Sequence, residues 1–251
     1  MDKNERLGND VEMKSPLVSK LENFWYYYKW HTIVALFLVF AIVICSLQMC
    51  SRIDVDSYIL YAGGKTVSRT ASGGDRAEYA RVVDAFKKVS PDFDGDGECA
   101  VSLSTLFQLS PEEIAEIEAR EDGSEVNYAL LSEDTEALRD RMYLGEYYVC
   151  LFSPYVYECY REVDGVSLFV AAAGFAPEEN ELEYYSDYAV KLSSTPFYKN
   201  NPAIRDVFPA DTLVCLRIKS AVSSALGGSA NDENYRRAEI VFTNILGGKT
   251  N

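Results

Sequence analysis

Histidine is almost missing from this chain. Among 251 residues only His31 carries an imidazole, and it stands at the edge of a long apolar run. Everything after it must do without a Ser-His-Asp or Cys-His apparatus and without histidine-ligated zinc. Much hydrolase chemistry is excluded by that absence, whereas chemistry that needs only carboxylates is not. CxxC pairs are lacking as well, which removes the usual zinc and redox spacings. Positive charge is scarce: 24 Lys and Arg face 39 Asp and Glu, a formal net charge of −15. A protein that holds nucleic acid without regard to sequence needs a basic face, so that class is excluded too. Internal repeats and low-complexity tails are also absent.

The acid is unevenly placed. Up to residue 50, Lys3, Arg6, Lys14, Lys20 and Lys29 balance Asp2, Glu5, Asp10, Glu12 and Glu22, so the whole surplus lies beyond. There it gives either a solvated acidic surface or a field that attracts cations and basic partners.

Between the two regions lies "IVALFLVFAIVICSL", Ile33 to Leu47, with no charge. Extended to 30–50, it reaches the roughly 20 residues that a helix needs to span a bilayer. The stretch "NFWYYYKW" before it supplies Trp and Tyr for the headgroup layer. A cleaved signal peptide fits less well, because the leader is long and Gln48, Met49 and Cys50 follow the apolar run. The expected organisation is a short cytoplasmic segment over 1–29, a transmembrane helix over 30–50 and an exported α/β domain over 53–251. Lysine and arginine counts on the two sides are nearly equal, so charge alone does not orient the span.

In the large domain Cys99, Cys150, Cys159 and Cys215 allow two disulfides in three pairings. Cys150 and Cys215 lie inside apolar, strand-like runs, which favours buried free thiols. Strand-like segments alternate with helix-like ones. "IDVDSYILYA" is a strand, followed by a glycine-rich loop and a helix over 75–89 with Tyr79, Val82, Val83, Phe86 and Val89 on one face. "CAVSLSTLF" is a second strand. Ser110, Pro111 and Glu113 predict a capping box at the next helix. Leu138 and Met142 mark a further helix, and "YYVCLFS" is a strand apolar enough to be buried on both faces. "SPYVYECY" is a short helix from Pro154. "VSLFVA", "DYAVKLSS" and "TLVCLRIKS" are strands, and "NDENYRRAEIVFTNIL" is a last helix that Gly247 ends. This order predicts an α/β fold with a mixed or largely parallel sheet. The segment 176–183 is the expected place for an insertion or a lobe boundary.

"VDSYILYAGG" with "EYARVVDAFKKVSPD" resembles the opening strand and helix of extracytoplasmic solute-binding proteins of bacterial transporters. "EALRDRMYLGEYYVCLFSPYVYECYREVDGVSLF" resembles their later unit, and "NDENYRRAEIVFTNIL" the helix that ends their first lobe. "LENFWYYYKWHTIVALFLVFAIVI" is similar to the start of membrane-anchored exported proteins of low-GC Gram-positive bacteria. The resemblance implies a periplasmic-binding-protein-like domain in a reduced form, with a small second lobe, facing outward from the membrane.

Three stretches invite a site. "DFDGDGE" places Asp92, Asp94 and Asp96 at the first, third and fifth positions of a calcium loop, with Gly97 sixth and the Glu98 carbonyl seventh. The twelfth position is Leu103 instead of a bidentate glutamate, so another part of the chain would have to complete the shell. Calcium is the one cofactor the sequence raises; the alternative is a polar, glycine-rich connection between helix and strand. "GGKT" at Gly63 to Thr66 lacks the glycine that a phosphate loop requires at Ile59, and its second copy at 247–250 follows a helix. As a strand-end loop, Gly63 and Gly64 suit a ligand crevice, with Ser153 and Tyr155 beside it. The chain has 18 tyrosines, and Tyr143, Tyr147, Tyr148, Tyr155, Tyr157 and Tyr160 crowd one region, which suits core and interface packing.

The expected function is a membrane-anchored, non-enzymatic, extracytoplasmic binding or interaction domain, taking a small-molecule solute or an envelope partner. An envelope interaction protein without a small ligand is the alternative, and a carboxylate-based enzyme ranks third. A crevice beside Gly63 and Tyr155 separates the first two: open and polar for binding, packed shut for interaction.

Overall fold

The computed structural model describes residues 16–50, 55–65, 67, 74–144, 147–177, 181–219 and 221–248. The leader over 1–15, the later glycine-rich loop from Thr66 through 68–73, and Lys249 and Thr250 of the second "GGKT" lie outside them. The chain divides into two units, Met1–Ile53 and Asp54–Asn251. The first contributes α1 (Pro16–Cys50), a helix of 35 residues. Within it Phe24–Cys45, 22 residues, is long and apolar enough to cross a membrane. The apolar window takes in the Trp and Tyr cluster that the sequence assigned to the headgroup layer.

The second unit runs β1 (Ser57–Gly63), α2 (Gly74–Lys87), β2 (Val101–Phe107), α3 (Pro111–Glu118), α4 (Tyr128–Leu144), β3 (Val149–Phe152), α5 (Pro154–Tyr160), β4 (Glu162–Val163), β5 (Val166–Ser167), β6 (Tyr184–Ser186), β7 (Ala189–Lys191), α6 (Pro196–Asn200), α7 (Pro202–Val207), β8 (Leu213–Leu216) and α8 (Ala221–Leu246). Six strands form one sheet in the order β2-β1-β3-β8-β7-β6. β1 is parallel to both its neighbours, while β8, β7 and β6 join through antiparallel pairs. The expected α/β fold with a mixed sheet is therefore what forms.

The central strands explain themselves by their period of two. Ile59 and Tyr61, Val149 and Leu151, Val214 and Leu216 point into one core, with Val82 and Phe86 of α2, Ile204 of α7, and Val241 and Phe242 of α8. Leu60 and Ala62, Cys150 and Phe152, Leu213 and Cys215 point into a second, with Leu138 and Met142 of α4 and Val156 and Tyr157 of α5. Because each face buries its own core, neither alternate set is polar, and "VCLF" and "LVCL" are wholly buried. Cys150 and Cys215 face each other across β3 and β8 as buried free thiols. Burial pushes the Cys150 thiol up to about 12 and that of Cys215 well above its ordinary value, so both stay protonated and inert. Cys99 is half-buried and Cys159 exposed, both free.

Some boundaries moved. "VSLFVA" does not enter the sheet as a strand. Val166 and Ser167 close a hairpin on Glu162 and Val163, and Phe169 makes one bridge to Arg217. "DYAVKLSS" is strand only to Lys191, after which Leu192–Ser194 turns into a 3-10 helix. Two short helices, α6 and α7, each begin with a proline in the first turn, preceded by Thr195 and Asn201. The last helix starts ten residues earlier than the apolar stripe announced, at Ala221 rather than Asn231. Arg217 is 2% exposed yet accommodated. Its guanidinium donates to the Met142 carbonyl at the end of α4 and to the Tyr147 carbonyl at 3.1 Å, and it lies 4.9 Å from the centre of the Tyr148 ring.

Candidate functional site

β1 has β2 on one side and β3 on the other, so the chain leaves it in opposite directions across the sheet. At such a reversal the loops beyond the carboxyl ends of the strands diverge and leave a crevice. One of about 510 Å³ lies there. Gly64 and Lys65, just past β1, form one lip, and Ser153, just past β3, lies opposite. The Ser153 N–H donates to the Ala62 carbonyl at 3.0 Å, and its hydroxyl caps α5 by accepting from the Val156 N–H.

Tyr61 forms the floor. Its ring is buried against Phe208, 4.7 Å between centres, and the residue lines the crevice. Gly63 makes that possible. Both residues point to the same side of β1, and a Cβ on Gly63 would stand 2.6 Å from the Tyr61 hydroxyl oxygen. Burial first, and the charges of Asp211 and Glu113 after it, push the Tyr61 phenol up to about 12, against a backbone hydrogen bond from Lys65. At neutral pH the floor therefore presents a phenolic hydroxyl.

The wall is α3. Glu113, Glu116, Ile117 and Arg120 follow at three-to-four spacing, so one stripe of the helix and its exit faces the crevice. The expected capping box fixes this stripe. The Ser110 hydroxyl accepts from the Glu113 N–H at 3.1 Å, and Glu113 Oε2 accepts from the Ser110 N–H at 2.7 Å. Glu113 Oε1 would lie 3.3 Å from a Cβ on Gly64, at the mouth. Pro209, Asp211 and Thr212, in the turn before β8, close the far side.

Of the four expected ligand residues, Gly64 and Ser153 line the crevice and Gly63 seats its floor. Tyr155 is on α5 with 38% of its surface exposed and does not line it. Sequence reasoning missed Tyr61, Arg120 and Asp211, and assigned Glu113 only its capping role. The period-two pattern does place Tyr61 and Gly63 on one side of a strand end, but nothing local announces Asp211, 150 residues away in the chain.

The acidic loop lies at the other end of β1. Asp92 accepts the Gly95 N–H at 2.7 Å and the Gly97 N–H at 2.9 Å, Asp94 accepts the Asp96 N–H, and Asp96 accepts the Glu98 N–H. Gly95 and Gly97 have φ of 75° and 89°, the left-handed turns that glycine makes without strain. Buried Asp56, just ahead of β1, clasps the loop from outside by accepting the Phe93 and Ala100 N–H groups, each at 2.8 Å. Asp56, Asp92 and Asp94 each bring an oxygen within 4.8 Å of the others; Asp96 and Glu98 do not join them. These three residues could hold a cation. Yet the polar connection now accounts for all three aspartates of the motif, since each satisfies a backbone donor. The Gly97 and Gly95 N–H groups hold Asp92 below the usual carboxylate range. The Asp96 N–H acts the same way on Asp94, but desolvation, the Asp96 and Asp56 charges and the Asp92 hydrogen bond outweigh it and raise Asp94.

No protein-family model matches the chain, and neither a curated protein nor a solved structure matches it.

Proposed function

We propose that this chain is a single-pass membrane protein whose large domain, on the outer side, binds a small polar molecule without transforming it. The observation that carries this reading is the crevice at the strand reversal, open and edged by charged groups over a buried tyrosine hydroxyl. The likeness to a reduced solute-binding fold belongs to the same proposal. It is supported by the α/β order, the mixed sheet and the apolar α1. Non-enzymatic action is supported by the missing histidines and by a floor hydroxyl that keeps its proton.

Native mass spectrometry of the full chain, gently extracted in detergent, tests the binding. A co-purifying small molecule is expected on the native chain and not on Gly64→Phe, whose side chain fills the mouth. A bare mass for the native chain, with no shift in melting across a metabolite library, would overturn the reading. A bound molecule released as its hydrolysis product would move the domain to the carboxylate-based enzymes. Cys159, exposed in the large domain, reports orientation. In a Cys50→Ser/Cys99→Ser background a membrane-impermeant maleimide should label it on intact cells and fail once Cys159→Ser is added; labelling only after lysis would place the domain inside.

A second reading, an envelope interaction protein, is favoured by the exposed Tyr184 and Tyr185 on edge strand β6 and Tyr188 in the turn after it. Loss of a cross-linked protein partner in a Tyr184→Ser/Tyr185→Ser variant, with the crevice empty, would establish it.

A further inference from the structure

Both signs of charge edge the crevice without neutralising each other. Among the described residues, Lys65, Arg120, Glu113, Glu116 and Asp211 form no ion pair within 4.0 Å. The signs are also sorted along the wall. Glu113 opens α3, Glu116 and Ile117 follow on the same stripe, and Arg120 lies just past its end. Seven residues at 1.5 Å each set the two backbones about 10 Å apart. At the acidic end Asp211 approaches from the turn before β8, and both it and Glu113 act on the Tyr61 hydroxyl. The result is a cleft with two carboxylates around a hydroxyl at one end and a guanidinium at the other, with Glu116 and Ile117 between them and Lys65 on the lip past β1.

We propose that the crevice takes a small zwitterion, its ammonium group held between Glu113 and Asp211 on the Tyr61 oxygen and its carboxylate by Arg120. An ammonium offers three donors, and the acidic end offers acceptors on two carboxylates and a phenol. A guanidinium binds a carboxylate through paired N–H groups. Ile117 lies against the methylenes between. A purely anionic solute meets the carboxylates at the floor, and a purely cationic one leaves Arg120 without a partner. This inference rests on the binding reading above and adds the ligand's chemical class.

The test uses the full chain in detergent, titrated calorimetrically with β-alanine, γ-aminobutyrate, δ-aminovalerate and ε-aminohexanoate, and with the alkylamine and the carboxylate of matching length. At least one amino acid should bind, and its two singly charged analogues should bind roughly tenfold to a hundredfold more weakly, as loss of one charge-assisted contact requires. Asp211→Asn should remove the preference over the carboxylate, and Arg120→Gln the preference over the amine, both with unchanged melting. Glu113→Gln keeps the capping box and should act as Asp211→Asn does. Equal binding of zwitterion and amine, or variants that weaken all probes alike, would overturn the sorted-charge assignment while the crevice stood as a site. A bound molecule of another class, displaced by Gly64→Phe, would overturn the zwitterion and keep the binding domain. No binding by any probe or library member would overturn both.

Discussion

β1 has two ends, and they treat charge in opposite ways. At its start, Asp56 and the loop over 91–100 turn their carboxylates inward onto backbone N–H groups. At its finish, about 20 Å away along seven residues of strand, Lys65, Arg120, Glu116 and Asp211 face an open crevice and form no ion pair among the described residues. Loop carboxylates that accept backbone hydrogen bonds hold a turn in shape. Charged groups that have no internal partner are available to something from outside. On the proposed reading, a dense acidic motif is a poorer guide to a binding site than a sparse set of charges outside any ion pair.

The sharpest way to break this contrast is Asp56→Ala. It orphans the Phe93 and Ala100 N–H groups and removes the carboxylate that lies 4.0 Å from the Arg237 guanidinium. The expected loss is about 3–5 kcal/mol, read from urea unfolding of the full chain. Asp211→Asn, at the crevice end, should leave the urea midpoint where it is. Equal losses would mean that the crevice charges are structural too. Next in size is Gly63→Ala, which brings a methyl group onto the Tyr61 hydroxyl. Overpacking there should cost about 1–3 kcal/mol. It should also shift the Tyr61 ultraviolet signal, because the ring must move from its seat.

The layout of β1 explains why one end was legible in the sequence and the other was not. The acidic loop is local: Asp92, Asp94, Asp96 and their glycines lie within six residues, so spacing alone identified a turn. What spacing left out was Asp56, which the parallel pairing of β1 with β2 brings to the loop. The crevice is assembled from the end of β1, the α3 stripe and the turn before β8, and only the sheet order unites them. Gly63, Gly64 and Ser153 were legible because strand-end loops of an α/β fold line clefts whatever the ligand. The two-sided core was legible for the same reason that "VCLF" and "LVCL" have no polar alternates. The short helices α6 and α7 were not, because five and six residues give no apolar period to read.

The two ends should also fail at opposite extremes of pH. Tyr61 and Tyr235 are both pushed up to about 12, in each case by burial first, whereas an unfolded tyrosine ionises near 10. A group whose folded value is raised contributes stability below its unfolded value and loses it as the pH rises through the folded one. The domain should therefore unfold more readily between pH 10 and 12, and the phenolate absorbance should show a late step that Tyr61→Phe reduces. Asp92 works the other way. Its folded value is depressed, so its contribution is present above the ordinary carboxylate value and lost as the pH falls below it. Acid should open the loop first, seen as a lower protection factor against hydrogen exchange at Gly95 and Gly97.

Calcium is the smallest expected effect and the finest test of the comparison. The ion asks for about six to eight oxygens, and the loop brings three carboxylates together, from Asp56, Asp92 and Asp94. Asp56 and Asp92 each already accept two N–H bonds. A cation must share those oxygens with donors that hold the turn, and Asp94 is raised despite the Asp96 N–H, by desolvation first and the Asp96 and Asp56 charges after it, so it retains a proton more readily. Millimolar calcium should therefore leave the melting temperature within about one degree of its value in chelator. A rise of several degrees that Asp94→Asn abolishes would show the opposite: that the hydrogen-bonded loop is a preformed site, and that carboxylates engaged by backbone donors still keep lone pairs for a metal.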